Sequence, residues 1–128
     1  MDASSLSFGQ YRPAQRSIVH VSDTHLLAGD RLLGGRFDTA STLEATVRAI
    51  RDLAITPDAI VVTGDLTDLG EPEAYRAIRG LLQPLGDELD APIIWVAGNH
   101  DERPALRAEL LDGEPTEEPV TGVWDLDG

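Results

Sequence analysis

A chain of 128 residues with ten arginines, no lysine and twenty-three acidic residues carries a formal charge of −13, which excludes recruitment to nucleic acid or an anionic membrane by net electrostatic attraction. Hydrophobic residues at 41% and charged residues at 26% describe a soluble globular composition, neither disordered nor collagen-like. With no cysteine, disulfides and thiolate metal ligands are excluded.

Residues 1–16, MDASSLSFGQYRPAQR, lack the apolar stretch and basic start of a secretory signal and are expected to form an N-terminal arm ahead of a domain over 17–128. Three β-rich runs follow, Ser17–Val21, Ala59–Thr63 and Ile93–Ala97. None alternates cleanly with polar residues, as in strands covered on both faces. Between the first two, Leu43, Val47, Ile50 and Leu53 repeat at helical spacing, and Ser41 with Glu44 has the form of a capping box. Between the last two, Pro72 can open a helix that Tyr75, Ile78, Leu81, Leu82 and Leu85 continue. The order βαβαβ predicts an α/β fold with parallel strands and right-handed crossovers. A shorter helix is expected over Pro104–Leu111, then an acidic loop, a fourth strand over Val120–Trp124 and a turn at Asp127-Gly128. The apolar run Ile93–Ala97 is far short of the ~20 residues of a membrane span, so a cytoplasmic protein is expected.

Each predicted strand is followed by polar residues: Asp23 and His25 after the first, Asp65 after the second, and Asn99, His100 and Asp101 after the third. In open α/β sheets ligands bind at this carboxyl edge. Segments far apart in sequence would therefore deliver two carboxylates, an imidazole and a carboxamide to one crevice. That donor set suits Mn²⁺, Fe or Zn²⁺ better than copper or an iron–sulfur cluster. Taken singly, each segment reads more readily as a turn, a loop or a helix cap than as a metal site; their recurrence at three consecutive strand ends is what indicates a metal site. Gly64 and Gly98 leave room for close approach. His20 is expected as a satisfied core histidine, and Tyr75 and Trp95 as core residues.

The segments Ser22-Asp-Thr-His25, Thr63-Gly-Asp-Leu66 and Ala97-Gly-Asn-His-Asp101 resemble the first half of the calcineurin-like metallophosphoesterase signature. Within that superfamily the chain is most similar to the bacterial class III 3′,5′-cyclic nucleotide phosphodiesterases, over residues 17 to 128. The resemblance implies the N-terminal half of an α/β sandwich, with a parallel core and helices on one face. It implies a binuclear centre of two divalent ions in which Asp23 and His25 bind the first, Asp65 bridges, and Asn99 binds the second. His100 would contact the phosphate or leaving-group oxygen. Asp68 lies where related phosphatases place an Asp that orients this histidine; an ordinary turn carboxylate is the other reading. Protein phosphatases of the superfamily carry an Arg directly after that Asp, where this chain has Leu69.

The implied substrate is a small phosphoester, in particular a cyclic nucleotide, and the two cations would offset the acidity of the chain around an anionic ligand. The family signature continues with a further histidine and a Gly-His-x-His, whereas this sequence holds only His20, His25 and His100. Weak binding of one ion and a largely empty second position are therefore expected for this chain, with low activity. The alternatives are hydrolysis of another small phosphoester, or a non-catalytic module that self-associates through its uncovered sheet.

Overall fold

The computed structural model describes residue 9 and residues 11–127. Most of the expected arm, residues 1–8 and 10, and the Gly128 half of the expected terminal turn lie outside the described residues. The elements run β1 (Ile18–Ser22), α1 (Thr39–Asp52), β2 (Ala59–Thr63), α2 (Pro72–Leu89), β3 (Ile93–Trp95) and α3 (Arg103–Leu110). The strands form a three-stranded parallel sheet in the order β1-β2-β3.

Register assigns each side chain to a face, because residues paired across parallel strands point the same way. Val19 pairs with Ile60 and Ile60 with Ile93; Val21 pairs with Val62 and Val62 with Trp95. This face meets the helices. Ile60, Val62 and Trp95 share one core with Leu43, Val47 and Ile50 of α1, with Tyr75, Ile78, Leu82 and Leu85 of α2, and with Leu106 and Leu110 of α3. The opposite face carries Ile18, His20, Val61 and Ile94, none of which joins that core. The expectation of helices on one side of a parallel βαβαβ sheet therefore holds.

Four local expectations are corrected. Helix α1 is capped by Asp38, whose carboxylate accepts the Ser41 amide at 3.0 Å and the Ser41 hydroxyl at 2.8 Å. Ser41 is thus a donor inside the first turn and not the capping residue, since a carboxylate is the stronger acceptor for the unpaired amides of a helix start. Strand β3 stops at Trp95, although Val96 still exchanges backbone hydrogen bonds with Val62 and Gly64; the chain is already turning toward Gly98. Residues Val120–Trp124 form no strand: no described strand pairs with them, and Val123 is 98% exposed. His20 is exposed on the helix-free face, with Nε2 2.6 Å from Thr63 Oγ1, because its place in the register puts it opposite Val61, on the side away from the core. Among the described residues no helix is long and apolar enough to cross a membrane.

Candidate metal centre

Beyond the last paired residues of β1 and β2, the two following loops stay joined along their backbones. His25 N donates to Asp65 O at 3.0 Å, Leu26 N to Leu66 O at 3.1 Å, and Asp68 N to Leu26 O at 3.0 Å. Leu26 and Leu66 are fully buried under this junction. The apolar side chains anchor the loops from below and turn their polar neighbours toward the sheet edge.

Asp23, His25 and Asp65 are brought together there, with one ligand atom from each lying within 4.8 Å of the others. His25 Nε2 is 3.9 Å from Asp23 Oδ1 and 3.7 Å from Asp65 Oδ2. These separations are too long for hydrogen bonds. Two donors each about 2.1 Å from a common cation at a tetrahedral angle would lie roughly 3.4 Å apart, so the spacing and the oxygen–nitrogen donor set both fit a divalent ion. All three residues have left-handed backbones, with φ of 54° at Asp23, 45° at His25 and 35° at Asp65. Non-glycine residues held in this region cost on the order of 1–3 kcal/mol each and cluster at functional sites.

The His25 ring is oriented from behind. Its Nδ1 lies 3.1 Å from Asp68 Oδ1, which leaves Nε2 as the nitrogen facing Asp23 and Asp65, an arrangement typical of metal-binding imidazoles. Asp68 reaches His100 differently from the sequence expectation: His100 Nδ1 is 2.8 Å from the Asp68 backbone carbonyl and 3.5 Å from its carboxylate. The carboxylate thus sits closest to His25, and the main chain holds His100. The two rings meet edge to face with centroids 5.3 Å apart. The hydrogen bond to the Asp68 carbonyl raises the His100 pKa, burial opposes this, and Asp65, Asp68 and Asp101 add to the upward shift. Asn99 stands exposed on the same turn as His100.

Asp101 organises the site from the side away from solvent. Its Oδ2 accepts Leu66 N at 3.0 Å and Gly98 N at 2.8 Å. Its Oδ1 accepts Thr67 N at 3.0 Å, Thr67 Oγ1 at 3.1 Å and the Tyr75 hydroxyl at 2.9 Å. One carboxylate thereby joins the loop after β2 to the loop after β3. Periodicity placed Tyr75 in the core correctly, but its hydroxyl has a second task that spacing does not reveal. In the sequence, adjacency to Asn99 and His100 is the local signal that marks Asp101. Its neighbour Arg103 donates instead to the Glu117 carbonyl at 2.7 Å.

Residues 16–127 match the calcineurin-like phosphoesterase family profile. The chain belongs to that family. This calcineurin-like phosphoesterase chain is 47% identical over 111 residues to a cAMP/cGMP dual specificity phosphodiesterase of Mycobacterium tuberculosis, covering 87% of this chain and 35% of that protein. It is 40% identical over 124 residues to a probable cyclic nucleotide phosphodiesterase of Rhodococcus erythropolis, covering 97% of this chain and 41% of that protein. To the 3′,5′-cyclic adenosine monophosphate phosphodiesterase CpdA of Pseudomonas aeruginosa it is 38% identical over 110 residues, covering 84% and 38% respectively. The calcineurin-like phosphoesterase chain therefore spans well under half the length of these relatives.

Proposed function

We propose that this chain supplies the metal-holding portion of a hydrolase that cleaves the phosphodiester of a 3′,5′-cyclic nucleotide. The observation that carries the reading is the cluster of Asp23, His25 and Asp65 at the carboxyl edge of the sheet, with His100 on the same rim. The activities for which the relatives in Mycobacterium and Pseudomonas are named supply the substrate class.

In this reading Asp23, His25 and Asp65 would hold the first cation, and Asp65 and Asn99 would serve a second. The ions would be Mn²⁺, Fe or Zn²⁺, to which oxygen and imidazole donors are suited. Bound divalent ions supply acidification of water and charge neutralisation at a phosphodiester. The chain itself contributes orientation and a proton. The amide of His100 donates to Asp65 Oδ1 at 2.9 Å and fixes that carboxylate. With Nδ1 donating to the Asp68 carbonyl, Nε2 of His100 can donate to a departing or phosphoryl oxygen only from the imidazolium form, which that carbonyl and the neighbouring carboxylates favour; such a role typically contributes about 10²–10⁴-fold.

Titration of Mn²⁺ into the chain by calorimetry tests the site. One weak binding event is expected, lost in Asp65→Asn. Assays of 3′,5′-cAMP and of a chromogenic phosphodiester then test the substrate. Low turnover of both is expected for this chain, with cAMP hydrolysed in preference once the span covered by the longer relatives is present. Retained Mn²⁺ affinity in Asp65→Asn would remove its role, and hydrolysis confined to the chromogenic diester would favour another small phosphoester.

A second reading rests on the helix-free sheet face, where Ile18 is 57% exposed. An exposed apolar surface of this kind favours association, and self-association of a non-catalytic module would show as concentration-dependent sedimentation without any Mn²⁺ affinity.

A further inference from the structure

The geometry points to Asp101 and Tyr75 as a positioning pair that sets the metal site in place before any cation arrives. The inference rests on the metal-binding reading above and adds residues outside the ligand set.

Five donors converge on the Asp101 carboxylate, three from the loop that carries Asp65, one from Gly98 beside Asn99, and one from Tyr75. A carboxylate has about four lone-pair sites and accepts without donating, so five donors use its whole capacity, with Oδ1 shared among three of them. None of these contacts is an ion pair. Tyr75 closes the arrangement: it is fully buried, donates to Asp101 and accepts the Glu102 amide at 2.9 Å. Burial pushes its phenol well above the usual range, which keeps it a donor.

The link to the ligands is short. Leu66 and Thr67, whose amides Asp101 holds, directly follow Asp65, and Gly98 directly precedes Asn99. Asp65 is the ligand with the least exposed side chain and keeps its left-handed backbone only while its neighbours are fixed. Asp101 therefore acts on the cation through Asp65 and through the turn bearing Asn99 and His100. Asn at position 101 would keep the shape but direct an NH₂ group at backbone amides in either orientation.

The test compares the wild-type chain with Asp101→Asn, Tyr75→Phe and a remote core control, Val47→Ala, all at a temperature where each is folded by circular dichroism. Calorimetric titration with Mn²⁺ is expected to show affinity reduced about 10–100-fold in Asp101→Asn, the range for partners that orient metal ligands. A smaller loss is expected in Tyr75→Phe and none in Val47→Ala, although the control also melts earlier. In the metal-free chains, amide exchange at Leu66, Thr67 and Gly98 should quicken in the first two variants only. Should Asp101→Asn fail to fold, Tyr75→Phe decides by the same two readouts. Wild-type affinity and exchange in the folded variants would overturn the inference, as would equal loss of Mn²⁺ affinity in Val47→Ala. If the wild-type chain takes no Mn²⁺, the metal reading falls, and the exchange rates alone judge the positioning.

Discussion

Gly98 packs so closely on Asp65 that a Cβ at position 98 would collide with the Asp65 amide nitrogen and its Oδ1, and would come within 2.8 Å of the Gly64 carbonyl carbon. The loop after β3 can reach the loop after β2 only because one side chain is missing. Gly98→Ala is expected to push the two loops apart, destabilising the chain by about 1–3 kcal/mol, the usual cost of overpacking. It should also abolish Mn²⁺ binding. Chemical denaturation and calorimetric titration would measure the two effects, and a variant that binds Mn²⁺ normally would contradict the close approach.

His25 is aligned by a partner that the cation never touches. Replacing Asp68 by Ala removes the acceptor at 3.1 Å from Nδ1 and releases the ring. Mn²⁺ affinity should fall about 10–100-fold with little change in melting temperature, because Asp68 lies at the partly exposed rim. A fall in melting temperature with unchanged affinity would instead mark Asp68 as a turn residue.

The helices are held by one core, so truncation at its centre should be felt globally. Leu82 is fully buried between α2 and the sheet. Leu82→Ala is expected to cost about 2–5 kcal/mol, read from the urea midpoint. A cost below about 1 kcal/mol would mean that the surrounding side chains collapse into the space.

Acid should weaken the fold in a defined direction. The pKa values of Asp38, Asp58 and Asp112 are lowered, by the Ser41 amide, the Ser17 amide and the Arg79 guanidinium respectively. A carboxylate whose folded pKa is depressed contributes stability that is present above its unfolded value, about 3.9, and is lost as pH falls through the folded value. Melting temperature should therefore decline below about pH 4. Asp38→Ala should lower it at pH 7 and flatten part of that decline; an unchanged acid limb would remove Asp38 from the set.

The amino-acid order alone determined the alternation of strands and helices, the donor residues at the strand ends and the apolar stripes of α1 and α2. These are properties of neighbours in sequence, carried by periodicities of two and 3.6 residues and by Gly and Pro punctuation. Family membership was legible in the same short segments. Tertiary structure decided what depends on register and on partners that only the fold brings within reach. It set His20 on the open face, left Val120–Trp124 unpaired among the described strands, and gave Asp68 to His25 by carboxylate and to His100 by carbonyl. It also made Asp101 the acceptor for two loops and a buried tyrosine. A carboxylate has the same local pattern whether it meets solvent, a metal or five N–H and O–H donors; only the folded chain chooses among them, because hydrogen bonds are made by proximity in space and not by spacing along the backbone.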